Sequence, residues 1–166
     1  TKDYTRSFSP FIKISTRTKG RQPVTMNISY NNSLTIDNNL SAGAKTTTRS
    51  LKDNITSTVQ FTKKGGLNIP IFFFRDFYID NDITFNLQTS WSKRVDKKRQ
   101  NELQNFDDIL PFTDTESLSF TPTITYSFTK WVSGTVHYSY EQTYNRRTGL
   151  NKNTDVGFNV NIKIQG

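Results

Sequence analysis

The stretch PVTMNISYNNSLTIDNNLSAGAK, residues 23–45, places Val24, Met26, Ile28, Tyr30, Asn32, Leu34, Ile36, Asn38, Leu40, Ala42 and Ala44 at every second position. The residues between them are polar or small, from Thr25, Asn27 and Ser29 to Gly43 and Lys45. A two-residue period is the mark of a strand, because successive side chains leave it on opposite sides. One face of this strand is mostly apolar and the other polar. The apolar parity runs on without a flip, so we expect one continuous strand over 24–48, although a hairpin with an odd-length loop would keep the same parity.

The same period recurs on either side. Ile12, Ile14 and Thr16 alternate with Lys13, Ser15 and Arg17, and KGRQP then reads as a turn. Ile55, Ser57, Val59 and Phe61 alternate with threonines and Gln60, after a polar loop near 49–54. Phe85, Leu87, Thr89 and Trp91 follow in the same way, then Phe120, Ile124, Tyr126 and Phe128 opposite Thr121, Thr123 and Thr125. Val136, Tyr138, Tyr140 and Tyr144 oppose His137 and Glu141, and Val156, Phe158, Val160 and Ile162 oppose Asn159 and Asn161. Strands are expected over 8–17, 24–48, 54–64, 82–93, 117–129, 131–145 and 154–165, with a long loop over 94–116. The segment LNIPIFFFRDFYIDND, 67–82, holds Pro70 and a run of aromatics and reads as an edge or connecting piece.

Composition points the same way. Only 33% of the 166 residues are apolar, against the ~45–50% usual in globular domains. Mean hydropathy is −0.67. Disordered chains lose their aromatic residues, yet this one keeps 13 Phe, 7 Tyr and 2 Trp. Order with little interior fat is what a membrane β-barrel has, since lipid outside and water inside require only alternate residues to be apolar. The expected fold is therefore all-β: about seven antiparallel transmembrane β-barrel strands, without a helix.

Lipid-facing positions are then Val24, Met26, Ile28, Tyr30, Val59, Phe61, Phe85, Leu87, Phe120, Ile124, Tyr126, Val136, Tyr138, Val160 and Ile162. Lumen-facing positions include Thr123, Thr125, His137, Glu141, Asn159 and Asn161. Trp91 and Tyr144 fall at one end of their strands and Phe128 and Trp131 at the other, as an interfacial girdle requires, although aromatics favour strands in any case. Longer polar loops near 49–54, 93–116 and 145–153 would lie outside the cell. Turns near 18–23 and 129–131, and the C-terminus, would be periplasmic.

Other function classes find poor material. Lys plus Arg number 22 and Asp plus Glu 14, a net charge of +8, but the cations sit in expected loops (Lys19 and Arg21; Lys63 and Lys64; 93–99; Arg146 and Arg147). No recognition motif gathers them, so nucleic acid is not expected as a partner. There is no Cys, hence no disulfide, thiolate site or cysteine nucleophile. His137 is the single histidine, four residues before Glu141, with no nucleophile beside it, so no enzyme is expected. Asp76, Asp80 and Asp82 lack the spacing, Gly and Glu of a calcium loop, and no metal or cofactor is expected. The longest apolar run, IPIFFF at 69–74, is short of the ~20 residues of a membrane helix.

The opening TKDYTRSFSP shows no signal peptide, so the chain is expected to be trimmed or to be a piece of something longer. Small bacterial barrels have an even strand number from eight upward, and about seven strands fall short of that. FSPFIKISTRTKGRQPVTMNISYNNS (8–33), IDNDITFNLQTSWS (79–92) and DVGFNVNIKI (155–164) resemble the C-terminal end of the SprA/Sov family. These are the outer-membrane translocons of the type IX secretion system of Bacteroidota, which also serves gliding motility. The resemblance implies the last strands of a much larger barrel in the outer membrane of a Gram-negative bacterium, conducting secreted cargo proteins. It implies as partners the rest of the parent chain, a PorV-type small barrel or a periplasmic plug protein, and membrane lipid and lipopolysaccharide. The ending Ile164-Gln165-Gly166 departs from the terminal aromatic of generic outer-membrane proteins. A TonB-dependent or other large transporter would end in similar strands, and a secreted β-sandwich adhesin would place a dry core between two sheets.

Overall fold

The computed structural model describes residues 3–163 except 21, 42–43, 66, 72–73, 80, 101–103 and 130; over 40–45 and 66–80 it describes backbone alone. Arg21, Ala42, Gly43, Asp80, Ile164, Gln165 and Gly166, named above, therefore lie outside the described residues, as does the side chain of Asp76. The fold is all-β. Strands β1 (Tyr4–Arg17), β2 (Val24–Ser41), β3 (Ala44–Lys63), β4 (Leu67–Ile71), β5 (Phe74–Ile79), β6 (Ile83–Arg99), β7 (Thr113–Ser127), β8 (Val132–Asn145) and β9 (Gly149–Ile162) follow one another, with a single 3₁₀ turn at Phe106–Asp108.

Seven strands form one antiparallel sheet in the order β1-β2-β3-β6-β7-β8-β9, and β4 and β5 pair as a separate hairpin. Each strand of the large sheet lies beside its neighbour in sequence, apart from that hairpin. The sheet is open: β1 pairs only with β2 and β9 only with β8 among the described residues.

The expected strand over 24–48 is corrected by this register. Ser41 pairs with Ala44, so the chain reverses between them and 44–48 belongs to β3. The expected loop at 49–54 is the middle of β3, where Arg49 faces Ile36 and Asn54 faces Asn31. The signal was present in the sequence: apolar residues stand at even numbers through Leu40 and at odd numbers from Leu51 to Phe61, the flip a two-residue connection produces. Ala42 and Ala44 masked it, because small side chains mark neither face.

The loops over 94–116 and 145–153 are also shorter than expected, β9 beginning at Gly149 opposite Asn145. β6 runs on to Arg99 and β7 begins at Thr113, with Lys93 paired to Glu116 and Val95 to Asp114. The cations of 93–99 thus stand on a strand, alternately on its two faces, and Lys63 closes β3. Backbone pairing needs no apolar side chain, so strands outlast the periodicity that reveals them. Segment 67–82 supplies β4 and β5, with Pro70 at their register shift, where a missing N–H costs no ladder bond.

Register carries one apolar face across the whole sheet. Val24, Phe61, Phe85, Ile124, Val136 and Phe158 form one cross-strand row, and Met26, Val59, Leu87 and Pro122 the next. These apolar side chains are not a core. Ile83, 3% exposed, is the one buried hydrophobic residue among those described, whereas Leu118, Phe120, Ile124, Val136, Tyr138 and Phe158 are exposed. On β7 the polar alternates Ser117, Ser119, Thr121, Thr123 and Thr125 are the less exposed set. This inverts the rule of a water-soluble sheet.

Candidate functional site: a two-faced wall

The apolar face holds every residue expected to face lipid: Val24 to Tyr30 on β2, Val59 and Phe61 on β3, Phe85 and Leu87 on β6, Phe120, Ile124 and Tyr126 on β7, Val136 and Tyr138 on β8, Val160 and Ile162 on β9. From Leu118 to Phe128 the run spans roughly 33 Å along the strand, or about 25 Å of height at a ~40° tilt, which matches the apolar band of an outer-membrane barrel. Adjacent rings stack along it, Phe61 on Phe85 at 6.0 Å and Tyr126 edge-on to Phe128 at 4.7 Å. Gly134 also lies on this face, beneath the rings of Phe128 and Phe158, which a Cβ there would meet at 2.9 and 3.3 Å.

The band ends in aromatic residues whose polar tips turn away from it. At the end of the sheet where Ser41 pairs with Ala44 and Asn145 with Gly149, Trp91 Nε1 donates to Glu116 at 2.7 Å and Tyr30 donates to Asp53 at 2.6 Å. Asn32 shares the same Asp53 oxygen at 2.7 Å. Phe11 packs edge-on against Phe8 and Tyr30. Amphipathic rings with one apolar and one hydrogen-bonding end belong at such a boundary. Tyr144, exposed, stands in the row of Glu116 and Leu150. At the opposite end Phe128 and Trp131 flank the β7–β8 turn, held by Thr129, whose hydroxyl accepts the backbone N–H groups of Trp131 and Val132. Asn81 donates to the Phe128 carbonyl at 2.8 Å and ties the β5–β6 connection to that turn.

Beyond the ring of Trp91 and Tyr30 the apolar-parity side turns charged. Arg49, Lys97 and Arg99 lie there, and the 3₁₀ turn folds onto them: Lys97 Nζ donates to the Phe106 carbonyl at 2.8 Å, Arg99 covers the Phe106 ring at 4.8 Å, and Arg49 stands 3.8 Å from Asp107. The 3₁₀ turn at Phe106–Asp108 therefore leans over the apolar-parity side of β3 and β6. Sequence periodicity could not reveal this, since nothing in 100–112 repeats.

The opposite face holds Thr123, Thr125, His137, Glu141, Asn159 and Asn161, as register requires. His137 and Glu141 do not work together. His137 Nε2 lies 3.2 Å from Asp155 on β9, and its ring fills the space above Gly157, where a Cβ would collide with it. Glu141 stands opposite Asn153 and Ser119. Among the described residues no three acidic or histidine side chains gather into a metal site. Asp82 instead accepts the backbone N–H of Gly65 at 3.2 Å, a turn role, and Gly65 has the left-handed φ of 71° that favours glycine. What the arrangement offers is a sheet with one apolar and one polar face. Comparison with family models, curated proteins and solved structures found no match.

Proposed function

We propose that this chain is a section of the wall of an outer-membrane β-barrel that conducts protein, its apolar face toward lipid and its polar face toward a water-filled lumen. One observation carries the reading: seven strands share one exposed, largely apolar face, interrupted at Ser57 and Thr89, and hydrogen-bond polar side chains across the other, with Ile83 the one buried hydrophobic residue among those described. A β-sandwich adhesin needs a second sheet over that apolar face. The two unpaired edges suit a section within a larger wall, because an open edge in hydrocarbon leaves each backbone group unsatisfied at several kcal/mol. The resemblance of 8–33, 79–92 and 155–164 to the SprA/Sov family supports the type IX translocon as that barrel, over a large TonB-dependent transporter with similar strands.

In this reading segments 42–43, 100–112 and 146–148 are extracellular, and the β1–β2 turn, the β4–β5 hairpin and the β7–β8 turn are periplasmic. A photo-crosslinking residue at Thr123 in the full-length protein should capture secreted proteins in transit, and one at Ile124 should capture lipid. Capture of secreted protein from neither position, with secretion running normally, overturns the reading.

A further inference from the structure

The polar face has a chemistry of its own. Over 25–31 in β2, 54–62 in β3, 84–92 in β6 and 117–127 in β7, every side chain on this face is Ser, Thr, Asn or Gln. No charged, aromatic or aliphatic group interrupts the four strands there. Their polar groups are turned toward one another across the strands: Ser29 and Thr56 at 2.6 Å, Ser90 and Ser119 at 2.7 Å, Thr62 and Thr84 at 3.3 Å, Asn27 and Thr58 at 3.4 Å. Charges return only at the margins, with Lys13 and Arg17 on β1 and Glu141 and Asp155 on β8 and β9. Above the band the same face is charged: Asp37, Lys52, Arg94, Asp96 and Lys98 stand there, with Arg94 and Asp96 paired at 2.9 Å.

A wall that selects by charge carries fixed charge of one sign, which raises or lowers the local concentration of a charged solute. A wall that grips its cargo offers rings or aliphatic patches, whose burial supplies binding energy. This face offers neither, and its hydroxyls are partly occupied by their neighbours. Resting on the wall reading above, we propose that β2, β3, β6 and β7 form a charge-silent stretch of the conduit, past which acidic and basic proteins move alike. Discrimination between cargoes then belongs to other parts of the barrel or to its partners.

The test uses the full-length protein in liposomes and the cross-strand row Thr58, Gln88 and Thr121. Two folded probe proteins of equal size and opposite net charge report passage. Converting the row to Lys should shift the acidic-to-basic passage ratio up by at least about threefold at low ionic strength, and converting it to Glu should shift it down as far, as expected for fixed charge facing a conduit. Both shifts should fade at high salt, and an all-Asn row should behave as the wild type. A Thr121→Cys variant, treated with a water-soluble maleimide, reports whether the face meets water. If it is labelled while the Lys and Glu rows leave the ratio unchanged, or the Asn row moves it as far as they do, the charge-silent conduit is overturned and the wall reading stands. If it is not labelled, both fall.

Discussion

At the scale of single residues, neighbouring positions on one strand stand on faces of opposite chemistry. Ile124 is 43% exposed on the apolar face, between Phe85 and Val136, and Thr123 stands on the other face between Asn86 and His137. A lysine at Ile124 is expected to cost roughly 2–4 kcal/mol of folding stability in lipid if the site lies near the bilayer midplane, and a lysine at Thr123 to cost close to nothing. Folding titrations of both variants into lipid vesicles measure this. Equal costs, or the reverse order, would contradict the assignment of faces. The parity that separates these two positions is legible in the sequence, because Phe120, Ile124 and Phe128 differ so plainly from Thr121, Thr123 and Thr125. The Tyr30–Asp53 and Trp91–Glu116 hydrogen bonds are not legible there, since each depends on a register between strands that the sequence alone leaves open.

At the scale of elements, length and connection decide how far each strand pair extends. β2 and β3 form a hairpin of 18 and 20 residues, at ~3.3 Å per residue about 60 Å long, so its tip stands well beyond a ~25 Å band. β6 continues past Trp91 to Arg99, and the 3₁₀ turn at Phe106–Asp108 leans over the basic residues of β3 and β6. Leu110 in that segment is 72% exposed, and Lys64, exposed at the opposite end of the sheet, opens the connection toward β4. In the full-length protein, a cysteine at Leu110 should react with an impermeant thiol reagent on intact cells. One at Lys64 should react only after the outer membrane is opened. The opposite pattern would invert the proposed orientation.

At the scale of the whole molecule, the open sheet is the controlling feature. Among the described residues β1 and β9 each have one neighbour, and β1 is exposed along its length, with Phe8, Phe11, Ile12 and Ile14 bare. Residues 1–166 produced alone are expected to oligomerise or aggregate in detergent, because two unpaired edges template further pairing. Within the parent barrel the same strands should resist protease. Sedimentation of the isolated segment checks the first expectation, and a monodisperse, heat-modifiable monomer would remove the case for a section of a larger wall.

What the sequence by itself determined is the fold class and the two faces. A period of two is written in side-chain chemistry, so Val24 to Tyr30 and Phe120 to Phe128 declare their faces without any partner. What only the tertiary structure decided is where strands end and which neighbours they take. The run of β6 through Lys93 to Arg99 and the placing of His137 against Asp155 rest on backbone pairing across strands. That pairing is made by N–H and C=O groups, which every residue but proline carries alike, and so it leaves no imprint on which side chains appear.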